Sequence, residues 1–95
     1  VKKISSSGEE IWTFSKHSDY VNSVAVDNNG SVYSGSVDKT VKKISSSGSE
    51  IWTYRGHSSY VKSVTVDNNR IVYSGSGEVV KKIFAGRLIG YKILE

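Results

Sequence analysis

His17, Ser34 and Asp38 are the residue types that make a hydrolytic triad. Such a set acts as a nucleophile only when the serine stands on a sharp, exposed turn, and no Gly-x-Ser-x-Gly segment provides one. Ser34 lies instead within Val32-Tyr33-Ser34-Gly35-Ser36, which reads as a strand. No catalytic residue is therefore assigned. The two histidines, His17 and His57, stand forty residues apart at equivalent places, so they are not expected to converge on one metal ion. Asp27-Asn28-Asn29-Gly30 lacks the spaced acids and closing Glu of a calcium loop and reads as a turn. Asn29-Gly30-Ser31 also fits an N-glycosylation sequon, which the same turn chemistry explains. The aromatic residues are the remaining candidates. Trp12 and Trp52 suit packing between adjacent sheets or, with Tyr20 and Tyr60, stacking on sugar rings.

A repeat positions all of these residues. Val1-Lys2-Lys3-Ile4-Ser5-Ser6-Ser7-Gly8 returns unchanged as Val41 to Gly48, and Ile11-Trp12-Thr13 as Ile51-Trp52-Thr53. Aligned without gaps, residues 1–40 and 41–80 are identical at 27 of 40 positions, so both copies must adopt one supersecondary unit. A third, partial copy over residues 80–95 opens at Val80-Lys81-Lys82-Ile83, one residue early, and then diverges. The chain is thus one domain, residues 1–95, built of repeats.

Within a copy the period is two rather than 3.6. Val21, Ser23 and Ala25 alternate with Asn22, Val24 and Val26, and β-branched and aromatic residues dominate. Strands are expected over 21–27, 32–36, 41–45, 50–54, 61–67 and 72–76. Asn29-Gly30 predicts a type I′ hairpin turn. Asn69-Arg70 at the same place in the second copy predicts a longer turn or a bulge, because only the Asn tolerates the left-handed region comfortably. Ser45-Ser46-Ser47-Gly48 is another hairpin signal. Four short strands in forty residues is the length and strand count of a β-propeller blade. The fold class is all-β: antiparallel four-stranded blades, two repeats of about forty residues, and a divergent C-terminal hairpin.

Composition narrows the function classes. The net charge of +4 comes from 13 basic and 9 acidic residues, and the pairs Lys2-Lys3, Lys42-Lys43 and Lys81-Lys82 split across opposite strand faces. That argues against a nucleic-acid or anionic-lipid footprint. No cysteine is present, so no disulfide is expected, and no apolar run approaches a membrane span. The compartment is unassigned. The chain opens on Val1 and contains no methionine, as expected of a processed chain or a piece of a longer one.

Two resemblances rest on these residues. Arg55-Gly56-His57-Ser58-Ser59-Tyr60-Val61-Lys62-Ser63-Val64 resembles the Gly-His opening and innermost strand of a WD repeat, and Ser34 to Ile44 resembles its second strand, Asp turn and third strand. The namesake Trp-Asp pair falls at Ile44-Ser45, and Lys16 precedes His17 where the family has Gly. The WD resemblance implies a structural hydrogen-bond network of His17, Ser34 and Asp38, with His57 and Ser74 in the second copy. Asp38 becomes Glu78 there, so the network is re-formed or weakened. Val32 to Ser36 through Gly48 to Trp52 is similar to the repeat of pyrroloquinoline-quinone-type propellers. Both resemblances imply a propeller and neither a function. With two blades and no acidic metal cluster, the quinone is not expected, and no cofactor is assigned.

The function expected is a non-enzymatic structural or protein-interaction module. The alternative is a lectin-like binder with one weak sugar site per blade. Two blades leave bare apolar faces, so the chain is expected to assemble as three or four copies or to be part of a longer propeller. In such a ring, residues 1–14 would seal the neighbour's terminal blade while the divergent tail lies elsewhere.

Overall fold

The computed structural model describes residues 1–93, and all ten of their regular elements are strands. β1 (Lys2–Ile4) and β2 (Glu10–Thr13) form a two-stranded hairpin. β3 (Val21–Val26), β4 (Val32–Ser36), β5 (Val41–Ile44) and β6 (Glu50–Tyr54) form the first complete blade. β7 (Ser63–Val66), β8 (Val72–Ser76), β9 (Val79–Phe84) and β10 (Arg87–Ile93) form the second. Every pairing is antiparallel between sequence neighbours. The chain is thus half a blade followed by two whole ones.

Turn chemistry sets this order. In Ser45-Ser46-Ser47-Gly48 the Gly48 amide donates to the Ser45 carbonyl at 3.0 Å, and the Ser45 Oγ accepts the Ser49 amide at 3.0 Å. Gly48 sits at φ 95, and a register shift follows between Lys43 and Ile44. That is a three-residue loop ending in a left-handed residue with a bulge. The Asn-Gly turn belongs to the same class, which corrects the type I′ expectation. Gly30 alone has positive φ, 81, while the Gly30 amide donates to the Asp27 carbonyl at 3.0 Å. The Asp27 carboxylate overrides the dipeptide preference by accepting the Asn29 and Ser31 amides at 2.9 and 3.0 Å. The second copy forms the same three-residue turn, with Arg70 held left-handed at φ 64, in line with the longer turn or bulge expected there.

Alternation along the strands gives each blade two packing faces. Tyr33 and Val41 look toward the second blade and join Tyr54, Val61, Val64, Val72 and Ile83 in the main core. Val32 and Ile44 look the other way and pack with Phe14, Val1 and Trp12 of the N-terminal half-blade. The blades approach closely at Gly35, where an added Cβ would lie 2.5 Å from Val61 Cγ1. There the Val61 amide donates to the Ser36 carbonyl at 3.0 Å. This cross-blade bond explains why β7 starts at Ser63 rather than at the expected 61.

The tail is a second correction. It does not lie elsewhere: β9 pairs with β8, Val72 opposite Ile83, and β10 with β9. Phe84-Ala85-Gly86-Arg87 closes that hairpin in two residues, with Ala85 at φ 53 and Gly86 at φ 77. The register sets Gly90 opposite Lys82, where Trp52 stands opposite Lys43 in the first blade. Residues 94 and 95 lie outside the described residues.

Candidate functional site

One end of the first blade gathers the residues that could do chemistry. His17 lies in the loop leading to β3, Ser34 in β4 and Asp38 in the turn between β4 and β5. His17 Nε2 is 2.7 Å from Ser34 Oγ, and His17 Nδ1 is 2.8 Å from Asp38 Oδ2. The atoms are connected as in a catalytic triad. Access differs, because Ser34 is fully buried and no substrate carbonyl can reach its hydroxyl. The rest of the network ties loops together. Asp38 Oδ2 accepts the Ser18 amide at 3.1 Å and Oδ1 accepts the Thr40 hydroxyl at 2.5 Å. Ser36 Oγ accepts the Asp38 amide at 3.0 Å and donates to the Tyr20 carbonyl at 2.8 Å. Burial alone would raise the Asp38 pKa, but the Thr40 hydroxyl, the His17 ring and the backbone amides bring it down to about 2. The carboxylate is therefore a stable acceptor that fixes the loop before β3 to the turn after β4.

The second blade keeps half of this. His57 Nε2 is 2.6 Å from Ser74 Oγ, and the pair is buried. Gly75 pairs with Val80 where Gly35 pairs with Val41, so the turn after β8 is one residue shorter than that after β4. Val79 then stands in the place of Thr40, and Glu78 is exposed. The network is weakened rather than re-formed: among the described residues, His57 retains only Ser74. Burial, with a contribution from the Lys81 charge, pushes His57 down to about 4, so it is neutral near pH 7.

The aromatic candidates divide into two kinds. Trp12 lies across the turn of the first blade, where a Cβ on Gly48 would meet its ring at 2.9 Å, and its Nε1 donates to the Ser46 carbonyl at 3.0 Å. Trp52 lies in the same way across Gly86 of the second blade, at 3.2 Å, and contacts Tyr33 with ring centroids 6.1 Å apart. Each tryptophan is a clasp from one sheet to the next. Tyr20 and Tyr60 are different. They sit in the loops entering the inner strands, 79% and 52% exposed.

Over residues 1–86 the chain matches the family model of PQQ-type repeats described as outer membrane protein assembly factor BamB. The chain belongs to this family. No curated protein matches it. The PQQ-type half of the resemblance is thereby established, and the WD half is not. Three cavities among the described residues, one at His57, one at Trp12 and one at Trp52, each measure about 200–220 Å³. No described helix is long and apolar enough to cross a membrane.

Two further polar links in this PQQ-type repeat escaped the sequence reading. Tyr33 donates its hydroxyl to Asp27 Oδ2 at 2.7 Å, and Tyr73 does the same to Asp67 at 2.9 Å. Burial and the Asp27 bond raise the Tyr33 pKa. Lys42 donates to Glu50 at 3.0 Å and to Thr53 at 2.9 Å while itself buried. The signal was available, since Asp and Tyr recur six residues apart in both copies, and Lys2, Glu10 and Thr13 repeat the second set.

Proposed function

We propose that this chain is a non-enzymatic interaction module, a run of propeller blades that closes into a ring with three or four copies of itself and presents its loops to protein partners. The observation that carries the reading is the contrast between two equivalent isoleucines. Ile44 is 0% exposed because the N-terminal half-blade covers it, whereas Ile4, at the same place in that half-blade, is 59% exposed. Val24 and Val26 are exposed too, although their counterparts Val64 and Val66 pack against the first blade. They line a groove of about 220 Å³ with Val1 and Trp12, beside the unpaired edge of β1. An open strand edge flanked by apolar side chains is a surface that another blade would cover.

The outer strands of the second blade are the chain's own β9 and β10, so a neighbouring copy would cover the open apolar faces without exchanging a hairpin. The family's description as an assembly factor supports a role among protein partners. Light scattering tests the ring. A mass of three or four chains is expected at micromolar concentration. A stable folded monomer would overturn assembly and leave the open ends to further repeats of a longer chain.

Tyr20 and Tyr60 favour a second reading, a lectin-like surface with one site per blade. Equivalent exposed aromatics suit weak, multivalent stacking on sugars. A glycan-array signal lost when Tyr20→Ala and Tyr60→Ala are combined would support this reading, and a silent array would remove it.

A further inference from the structure

We propose that the second blade carries a pocket for a small carboxylate, formed where two acidic side chains of the first blade have no counterpart while the groups that bind them remain. The registers of the two blades set His17 against His57, Ser18 against Ser58, Ser36 against Ser76 and Lys42 against Lys81. In the first blade these groups serve two carboxylates. Asp38 accepts from His17 Nδ1 at 2.8 Å and from the Ser18 amide at 3.1 Å, and Glu50 accepts from Lys42 at 3.0 Å.

The second blade has lost both acids by separate changes. The turn after β8 is one residue short, which deletes the place of Asp38 and turns Glu78 out to solvent. Leu88 stands opposite Ile83 where Glu50 stands opposite Ile44. What remains is a cavity of about 210 Å³ with His57, Ser58, Ser76 and Lys81 on its polar side and Val79 and Leu88 on its apolar side. Lys81 is held at this cavity by the Gly56 carbonyl at 2.5 Å and by the Tyr54 ring, whose centroid is 5.9 Å from Nζ. Among the described residues it forms no salt bridge, whereas Lys42 does.

The ligand class follows from these groups. In the tautomer in which Nε2 accepts the Ser74 hydroxyl, the neutral ring of His57 has Nδ1–H to give, as His17 gives its own to Asp38. Together with the Ser58 amide and the Lys81 ammonium, this is a donor set for one carboxylate, and bonds to an ionised acceptor are the stronger kind. Val79 and Leu88 suit a short apolar tail. A monocarboxylate such as butyrate matches both ends. Binding would also raise the His57 pKa, because a bound anion favours the imidazolium.

The test uses the full chain and NMR detection of both histidine rings. Titration with sodium butyrate at pH 7, against sodium chloride at equal ionic strength, should give a saturable shift at His57 and none at His17. Acetate should bind more weakly, and Lys81→Met should weaken butyrate about tenfold. Leu88→Glu, which returns an acid to the place of Glu50, should also suppress binding, and its spectrum reports whether the fold is kept. Absence of a saturable shift, an equal shift with chloride, or undiminished binding to Leu88→Glu would overturn the proposal. Binding that appears only in Glu78→Gln would do so as well, by assigning the pocket to the chain's own Glu78.

Discussion

In the first blade His17 joins Ser34, Asp38 and Thr40 in one set of hydrogen bonds, while in the second His57 holds Ser74 alone. The first blade is covered on one face by Val61 and Val64, and on the other by Trp12 and Phe14 over β4 and β5 only, with Val24 and Val26 of β3 left exposed. The second has a neighbour on one face only, and Tyr73 and Gly75 look outward from the other. The comparison separates what a repeat unit specifies from what its position in the array adds. Strand pairing and turn geometry recur in both blades. Burial of Tyr33 and of its bond to Asp27 depends on a following blade, whereas the smaller set of bonds at His57 follows from the shorter turn after β8.

The most direct way to break this comparison is to remove the same side chain where it is covered and where it is not. Ile44→Ala should cost about 3 kcal/mol, because it leaves a cavity between the half-blade and the first blade. Ile4→Ala should cost less than about 0.5 kcal/mol in the isolated chain. Urea unfolding reads both. Equal costs at dilution would mean that the N-terminal face is already covered, and a cost for Ile4→Ala that grows with protein concentration would place that residue in the assembly interface.

A second pair sharpens the contrast at the inner strands. Gly35→Ala puts a Cβ 2.5 Å from Val61 Cγ1 and 3.0 Å from Val64 Cγ1, so the blades must separate. A cost of about 2 kcal/mol is expected. At Gly75 the nearest atom is the Ser63 hydroxyl, 3.0 Å away, which can rotate aside. Gly75→Ala should cost less than about 1 kcal/mol. If the two substitutions prove equal in urea, the close approach of the blades at Gly35 is wrong.

These pairs also mark what the sequence could and could not reveal. The period-two alternation of Val21 to Val26 and the repeated Val-Tyr-Ser-Gly-Ser run placed the strands, because alternation is a local property of one chain segment. The turn at Asn29-Gly30 was misread, because the Asp27 side chain, two residues outside the dipeptide, decides its type. His17, Ser34 and Asp38 were legible as a group through the WD resemblance, yet the vacancy around His57 was not. It depends on a one-residue shortening together with Leu88, and only the register of β9 with β8 and β10 brings those two changes to one cavity. The path of the tail was misjudged for a similar reason. Its sequence diverges from the repeat, but Val79 to Phe84 still carries the strand pattern that β8 needs on its open edge.

Acid should separate the two histidine sites. A histidine held at about 4 in the fold takes up protons more readily when unfolded, so stability is full above about pH 6.5 and falls as the pH drops toward 4. The loss assigned to His57 is on the order of 1–2 kcal/mol once solvent screening is allowed for. Asp38, held at about 2, contributes stability that is present above about pH 4 and is lost as the pH falls through 2. Urea midpoints from pH 7 to pH 4.5 should therefore fall less steeply in His57→Gln than in the wild type. Parallel slopes would show that His57 is not held neutral by burial.

The smallest effect expected concerns one turn built with two different residues. Gly30 and Arg70 occupy the same left-handed position, at φ 81 and φ 64, after Asp27 and Asp67 turns whose hydrogen bonds agree within about 0.1 Å. A side chain in that region costs about 1 kcal/mol relative to glycine, because its Cβ crowds the following carbonyl. Arg70 recovers part of this by reaching Asn29 of the first blade, whose amide oxygen, in the orientation that satisfies both groups, accepts from Nη2 at 2.7 Å. That contact lies at the surface and is worth a fraction of a kilocalorie. Arg70→Gly should therefore stabilise the chain by about 0.5 kcal/mol, while Arg70→Ala keeps the strain, loses the contact and destabilises it by a similar amount. Thermal or urea midpoints of the two variants, measured against the wild type, test the sign in each case. If both variants destabilise, the bond between the two turns outweighs the backbone strain, and the turns would then belong with Trp52 as a second clasp between the blades.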